Sequence, residues 1–263
     1  DVPLIMPEIN ADHLSLISIQ QKNRGWKKGF IVVKPNCSLQ SYLPPLFALR
    51  EFSPEEVMVT TFQAISGAGK TFKTWPEMVD NVIPFIGGEE EKSEKEPLKI
   101  WPAEAGKPGC PKISASCIRV PVSNGHLATV AVTFKKRPSR EEILSSWKEF
   151  ARPLASLNLP SSPSPFLQYF EEENRPQKRL ARDFGKGMAI SVGRLREDPI
   201  LHWKFVCLSH NTIRGAAGGA ILTAELLQAK GYFSFLLEED QVQGNVFNAQ
   251  REIMDTDWRG NTY

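Results

Sequence analysis

The sequence predicts an α+β domain built on a mixed, largely antiparallel sheet that is covered by helices on one face. Two observations favour this fold class. Segments with strand character outnumber segments with helical periodicity, and the connections between the strands vary in length. In addition, no G-x-G-x-x-G fingerprint occurs in the 263 residues, so a dinucleotide-binding βαβ unit is not predicted.

The strand predictions depend on β-branched runs and on alternation. Residues 30–33 form an apolar run that Pro35 ends, which predicts a buried strand. Residues 2–6 are typical of a short edge strand, because Pro3 excludes them from the centre of a sheet. Four further segments have strand character: residues 57–63, 127–134, 188–195 and 203–208. Within the second of these, alternation gives one apolar face made of Val130, Val132 and Phe134.

The helix predictions depend on caps and breakers. Ser139 and Glu142 fit a capping box at the start of a helix. A second helix is predicted over residues 211–230, with Asn211 as its N-cap. Asp12 predicts the cap of a weak helix that runs through residue 17, and the helix after Cys37 should be broken or kinked by its two prolines.

Composition excludes several classes of protein. A formal charge of +2 does not indicate a nucleic-acid partner, and no run of about 18 apolar residues suggests a membrane span. The four cysteines are scattered without C-x-x-C spacing, which favours a reduced, intracellular protein with no zinc or other metal site.

Cys37 and His126 are the first candidates for chemistry. Cys37 lies at a predicted strand end just before a predicted helix, and the positive end of a helix dipole lowers the pKa of a thiol. His126 is the natural acid or base for such a nucleophile. Each residue also has an ordinary interpretation, because many cysteines are small buried hydrophobes and many loop histidines have no catalytic role.

Further polar candidates lie beside small residues. Gln63 ends a predicted strand and could orient a carbonyl group or donate to an oxyanion, and Arg119 offers a fork for a carboxylate. Glu89 and Lys92 would share a helix face, either as a ligand-binding pair or as a weak surface ion pair. The glycine-rich loop over residues 66–69 does not fit a Walker A motif.

Together these stretches resemble the C-terminal catalytic and dimerisation domain of the aspartate-semialdehyde dehydrogenase family, of the archaeal and fungal type. The resemblance covers residues 2–230 and includes Pro35-Asn36-Cys37-Ser38 and Arg119-Val120-Pro121-Val122-Ser123-Asn124-Gly125-His126. It also includes the run from Ser209 to Gly218.

The resemblance implies an activity and a role for each residue. Family members attack the acyl phosphate of aspartyl phosphate with a cysteine, release phosphate and reduce the thioester with NADPH. By position, Cys37 matches the nucleophile, His126 the acid/base and Gln63 the amide that orients the substrate. The positions that match substrate contacts are Arg119 for the carboxylate, Glu89 for the amine, Lys92 for the phosphate and Asn36 as a phosphate or oxyanion neighbour. The positions that approach the nicotinamide part of NADP are Ser66, Gly67 and Asn211.

The resemblance further implies a small-molecule substrate, a cytoplasmic location and a homodimer formed through a sheet face. The apolar face made of Val130, Val132 and Phe134 is compatible with such a contact. We expect a catalytic and dimerisation domain over residues 1–232 and an extension over 233–263 that covers apolar surface.

The chain departs from the family pattern in one large respect and in several smaller ones, of which one precedes Cys37. It contains no glycine-rich turn for a pyrophosphate, and Lys34 stands where a neutral residue is usual. Three interpretations therefore stay open. The chain is a dehydrogenase that acts when an NADP-binding domain is supplied, or a repurposed, non-redox homologue that uses the pocket for thioester exchange, hydrolysis or cyclisation. The third interpretation is a non-enzymatic dimerisation module that associates with a full-length relative.

Overall fold

The computed structural model describes residues 1–102, 109–150 and 152–233. The chain divides into two compact units, Asp1–Leu226 and Leu227–Tyr263, and the second is described only over residues 227–233. The predicted extension over residues 233–263 lies almost entirely outside the described residues, so its role and its boundary stay predictions.

Strands and helices alternate irregularly along the described ranges. Six strands are present there: β1 (Pro54–Gln63), β2 (Lys112–Arg119), β3 (His126–Phe134), β4 (Leu167–Phe170), β5 (Ile190–Glu197) and β6 (Trp203–Ser209). The same ranges hold eight α-helices: α1 (Pro7–Asn10), α2 (Leu16–Arg24), α3 (Leu39–Phe47), α4 (Glu89–Ile100), α5 (Arg140–Glu149), α6 (Arg152–Ala155), α7 (Lys178–Ala181) and α8 (Gly218–Ala229).

The six strands form one mixed sheet in the order β2-β1-β3-β6-β5-β4. The outer pairs β1/β2 and β4/β5 are parallel, whereas β1/β3, β3/β6 and β5/β6 are antiparallel. The predicted α+β class with a mixed, largely antiparallel sheet is confirmed. Strands β2 and β4 were not predicted.

One face of the sheet carries the hydrophobic core. Helix α3 contacts β3, β5 and β6 on this face, while α5 contacts β4. Trp147 of α5 donates its indole N–H to the carbonyl of Pro45 in α3 at 2.9 Å, and its ring lies 5.2 Å from that of Phe205 in β6. Helices and strands are thereby joined over a continuous apolar layer.

The opposite face of the sheet is open in the described part of the chain. Met58 of β1 is 60% exposed, and Thr129 of β3 is also exposed. Val130, Val132 and Phe134 are buried in the core to 1%, 0% and 2% exposure, so the apolar face that seemed compatible with a subunit contact packs inside the domain instead. Because side chains alternate along a strand, the face available to a partner carries Thr129 and Ala131 instead.

Residues 30–33 do not form the predicted buried strand. Val33 makes a single parallel bridge with Leu4, and Ile31 is 45% exposed. The buried side chain of Gln20 satisfies the Ile31 backbone instead, accepting from its N–H at 2.7 Å and donating to its carbonyl at 2.9 Å. A side chain of α2 therefore takes the place of a neighbouring strand.

Three helix predictions had different outcomes. The first helical region begins at Pro7 rather than at Asp12, with proline in the first turn, where a missing N–H costs nothing. Helix α3 continues through Pro44 and Pro45 to Phe47, so the prolines do not break it. The capping box at Ser139 is confirmed, because its side chain accepts from the Glu142 N–H and the Glu142 carboxylate accepts from the Ser139 N–H.

Candidate active site

The sheet topology brings three candidate side chains to one edge. Gln63 and Arg119 are paired residues at the ends of the parallel strands β1 and β2. His126 begins β3, which runs antiparallel to β1, so it starts where β1 ends. Cys37 precedes α3, and Glu89 is the first residue of α4. Five elements that are distant in sequence thus form one site.

Cys37 and His126 are in direct contact. The Cys37 Sγ lies 3.3 Å from His126 Nε2, and the other ring nitrogen, Nδ1, accepts a hydrogen bond from the Ala64 N–H at 3.1 Å. The imidazole is fully buried, and burial lowers the pKa of His126 to about 3, with the charges of Lys178 and Arg119 acting in the same direction. The ring is therefore neutral at physiological pH.

The pKa of the Cys37 thiol is raised, contrary to the prediction of a lowered pKa. Burial is the largest cause and the negative charge of Glu89 is the second, whereas Lys34 and Arg119 oppose them. A position just before α3 does not compensate for lost hydration and a nearby carboxylate. The free pocket therefore favours the protonated thiol.

Glu89 is the hydrogen-bonding centre of the site. Its carboxylate accepts from the Asn36 Nδ2 at 2.9 and 3.0 Å, from the Gln63 Nε2 at 3.3 Å and from the Lys92 Nζ at 3.0 Å. Because a carboxylate only accepts, these contacts fix the orientation of both amides. The Nε2 of Gln63 also donates to the Thr61 hydroxyl at 3.2 Å, so both N–H groups of this amide have acceptors.

Arg119 is held rigidly beside the Cys37–His126 pair. Its backbone exchanges two hydrogen bonds with Ile83, and its Nη1 donates to the Ala64 carbonyl at 2.6 Å. Its side chain is almost buried, and burial lowers the pKa of Arg119, although Glu89 and Cys37 oppose the shift. Gly67 closes over the same region, since a Cβ there would lie 2.9 Å from Arg119 Nη1 and 3.1 Å from His126 Nε2.

The three residues expected near a nicotinamide lie together beside this region. The Asn211 Nδ2 donates to the Ser66 hydroxyl at 2.9 Å, and its Oδ1 accepts from the Gly125 N–H at 2.8 Å. Asn211 is not the cap of α8, because a π-helical turn, Ile213–Ala217, intervenes and its flanking residue is Thr212. Asn211 instead links the Ser66 loop to the turn that precedes His126.

The structure brings all ten predicted site residues into one neighbourhood. Three contributors were missed. Ala64 acts only through its main chain, Glu96 accepts from the Asn36 N–H at 2.8 Å, and Gly215 packs directly against Cys37. Of these, only Glu96 offers a side-chain signal, and it is hidden in the charge run of α4. Within the described ranges, no group of three or more His, Cys, Asp or Glu side chains could hold a metal ion.

Comparison with known proteins agrees with this geometry. Residues 43–214 match the family model described as semialdehyde dehydrogenase, dimerisation domain. The chain therefore belongs to the semialdehyde dehydrogenase family.

Archaeal and fungal relatives match most of the chain. The chain is 46% identical to the aspartate-semialdehyde dehydrogenase of Archaeoglobus fulgidus over 230 residues, covering 86% of this chain and 66% of that protein. It is 44% identical to the enzyme of the same name from Aspergillus fumigatus, covering 88% and 67%. The crystal structure of aspartate-semialdehyde dehydrogenase with NADP from Candida albicans superposes with a TM-score of 0.74 at 38% identity, covering 88% of this chain and 68% of that one.

The resemblance inferred from the sequence is confirmed. The chain spans about two thirds of the length of these relatives.

Proposed function

We propose that this chain is the catalytic and dimerisation portion of an aspartate-semialdehyde dehydrogenase, in which Cys37 forms a thioester with the acyl group of L-aspartyl phosphate. The observation that carries the proposal is the Cys37–His126 contact of 3.3 Å inside a pocket that also contains Glu89, Arg119 and Lys92.

The charges of the pocket match the charges of this substrate. Aspartyl phosphate carries an ammonium, a carboxylate and a phosphate group. We assign the ammonium to Glu89, the carboxylate to the guanidinium fork of Arg119 and the phosphate to Lys92, whose side chain is 50% exposed at the mouth of the site. An ammonium at Glu89 competes with the amides of Asn36 and Gln63 for the same carboxylate oxygens, and an N–H group released in this way can donate to the acyl oxygen.

The acylation step balances without an additional reactant. The sulfur of Cys37 bonds to the acyl carbon, and the carbonyl electron pair moves to oxygen. When the carbonyl re-forms, the bond from the acyl carbon to the phosphate oxygen breaks. Phosphate leaves with the thiol proton, and a thioester remains on Cys37.

The residues beside this pocket fit one end of NADP. Ser66 and Asn211 present a hydrogen-bonded pair, and Gly67 has no side chain to prevent a close approach. When bound, NADPH supplies the hydride that converts the thioester into the aldehyde. The sequence holds no glycine fingerprint for the pyrophosphate, so we propose that tight NADP binding requires a cofactor-binding domain supplied in addition to these 263 residues.

We also propose that the chain forms a homodimer through the open face of its sheet. The matching family model is a dimerisation domain, and this face exposes Met58 beside Thr129 and Ala131. Sedimentation velocity of the Met58→Asp variant tests this, with Leu98→Asp as a matched control, since Leu98 is 62% exposed on α4. We expect only Met58→Asp to produce monomers. Equal dimer fractions in both variants would contradict this choice of face.

A cytoplasmic location belongs to the same proposal. Within the described ranges no helix is long and apolar enough to cross a membrane.

Phosphate release tests the catalytic proposal. We would mix the chain with aspartyl phosphate, and separately with acetyl phosphate, which lacks the ammonium and carboxylate groups. We expect a burst of about one phosphate per chain that requires Cys37 and is much faster with aspartyl phosphate. No Cys37-dependent burst from the folded chain would refute the proposal. A burst with equal rates would favour a repurposed acyl-transfer enzyme with a different substrate.

A further inference from the structure

The guanidinium of Arg214 is buried where three segments of the chain meet. Arg214 belongs to the π-helical turn Ile213–Ala217 and is fully buried. Its Nη1 and Nη2 donate to the two carboxylate oxygens of Glu8 in α1 at 2.7 and 2.6 Å, and its Nε donates to the Gln40 Oε1 in α3 at 2.9 Å. Because the donors of a guanidinium have a fixed geometry, these bonds set the position of the turn relative to both helices.

The turn and the helix that Arg214 joins both adjoin Cys37. Gly215 packs against the nucleophile, since a Cβ built on it would lie 2.7 Å from the Cys37 Cβ and 3.1 Å from the Cys37 Cα. Cys37 itself leads into α3, and Gln40 is in the first turn of that helix. The backbone of Cys37 therefore lies between two segments that one buried side chain connects.

The same turn extends to the residues expected beside a nicotinamide. The Gly215 N–H donates to the His210 carbonyl at 2.9 Å, a bond that widens the turn beyond the α-helical repeat. Asn211, which follows His210, donates to the Ser66 hydroxyl at 2.9 Å. Short π-helical turns of this kind are frequent at functional sites. Arg214 thus anchors a segment that contacts both the nucleophile and the Ser66 loop.

The surroundings of Arg214 fit a guanidinium better than another cation. The Cζ atom lies 4.8 Å from the centroid of the Phe166 ring, so a planar group lies against the ring while its edge reaches Glu8 and Gln40. The ammonium of a lysine places its donors on a single nitrogen. Such a side chain could keep a contact with Glu8 or with Gln40 but would lose the connection between them.

We propose that Arg214 is a positioning residue for acylation, which joins Gly215 to the start of α3 and thereby holds the Cys37 sulfur in its attacking position. This inference rests on the proposed function and adds a role in catalysis to the Glu8–Arg214–Gln40 connection. Because Arg214 is fully buried, it acts through Cys37 and not by contact with the substrate. A misplacement of about 1 Å can lower a reaction rate roughly 100-fold, so a loosened turn is expected to slow acylation strongly.

The position of Cys37 can be followed without a substrate. In the intact chain, labelled at glycine and cysteine, a nuclear Overhauser cross-peak between the α protons of Gly215 and the β protons of Cys37 reports their packing. We compare Arg214→Lys with Gln40→Met, which keeps the ion pair with Glu8 and removes only the connection to α3. Val132→Ala is the matched control, because Val132 is fully buried in β3 and away from Cys37. We expect both test variants to lose the cross-peak and the control to keep it. An unchanged cross-peak in folded Gln40→Met would overturn the proposal.

Phosphate release distinguishes a positioning role from a loss of stability. The burst amplitude counts the folded chains, whereas the burst rate at saturating aspartyl phosphate reports acylation in each of them. We expect Arg214→Lys and Gln40→Met to lower the burst rate about 10- to 100-fold, with the half-saturating concentration changed by less than about twofold. Val132→Ala should keep the wild-type rate. Lower amplitudes at an unchanged rate would show that Arg214 only stabilises the fold, which contradicts the proposal. A wild-type chain without a burst would refute the proposed function, while the cross-peak would still decide whether Arg214 positions Cys37.

Discussion

Gly215 packs directly against the nucleophile Cys37. It lies in the π-helical turn Ile213–Ala217, and a Cβ built on it would be 2.7 Å from the Cys37 Cβ and 3.1 Å from the Cys37 Cα. Ordinary contact begins near 3.4 Å, so Gly215→Ala must separate the two segments by about 0.7 Å. Backbone atoms are involved, so a side-chain rotation cannot relieve the overlap.

The expected cost appears in both stability and reactivity. Overpacking of this kind destabilises a core by about 1–3 kcal/mol. Since a misplacement of about 1 Å lowers catalytic rates roughly 100-fold, we expect the rate of Cys37 acylation by aspartyl phosphate to fall about 10- to 100-fold in Gly215→Ala. The intrinsic preference of helices for Ala over Gly acts in the opposite direction, so a loss can be assigned to the overlap.

Phosphate release gives the rate, and denaturant unfolding gives the stability. Gly87→Ala is the matched control, because no atom lies within 4 Å of its added Cβ. If Gly215→Ala acylates and unfolds like the control, the close packing of this turn on Cys37 does not position the nucleophile.

Two other predictions concern buried charge. Arg214 and Glu8 form an ion pair at 2.6 Å with both side chains 1% exposed, so Glu8→Gln should lower the free energy of unfolding by about 3–5 kcal/mol. The exposed pair of Arg137 and Glu197 serves as control, and Glu197→Gln should lower the free energy of unfolding by no more than about 1 kcal/mol. Equal losses of unfolding free energy for the two variants in urea titrations would contradict this prediction. The folded-state pKa of His126, about 3, lies below its unfolded value, so the unfolded chain binds the extra proton first and wild-type stability falls as the pH drops from 6.5 towards 3. Relative to His126→Gln, the loss should begin near pH 6.5 and approach about 1.4 kcal/mol per pH unit between about pH 5.5 and 4 in denaturant titrations. Parallel pH profiles would show that His126 protonates freely in the fold.

The sequence predicts those parts of the fold in which periodicity and burial coincide. Strand β3 alternates cleanly, and its buried residues are the apolar ones. Strand β2 alternates as regularly, with exposed Lys112, Ser114 and Ser116, but only Cys117 and Arg119 of its other face are buried. Its apolar signal is therefore weak, and the strand was missed. The run at residues 30–33 misleads for the opposite reason, because a β-branched run indicates a strand only when another strand is available, and here the Gln20 side chain satisfies the Ile31 backbone.

The candidate site was also predicted only in part. Residue spacing alone left Cys37 and His126 with ordinary alternatives, and the family resemblance was needed to select them. The direction of the Cys37 pKa shift could not be predicted from the sequence. It depends on burial and on the charge of Glu89, which is 52 positions away along the chain. Ala64 left no signal at all, because its N–H and carbonyl groups are common to nearly every residue.

The most direct measurement is the mass of the chain after brief exposure to aspartyl phosphate. We predict the addition of one aspartyl group per chain, located on Cys37 by peptide mapping, released by hydroxylamine and absent in Cys37→Ala. An unmodified Cys37 in the folded chain, or an equal label in Cys37→Ala, would contradict the assignment of Cys37 as the acyl-accepting nucleophile.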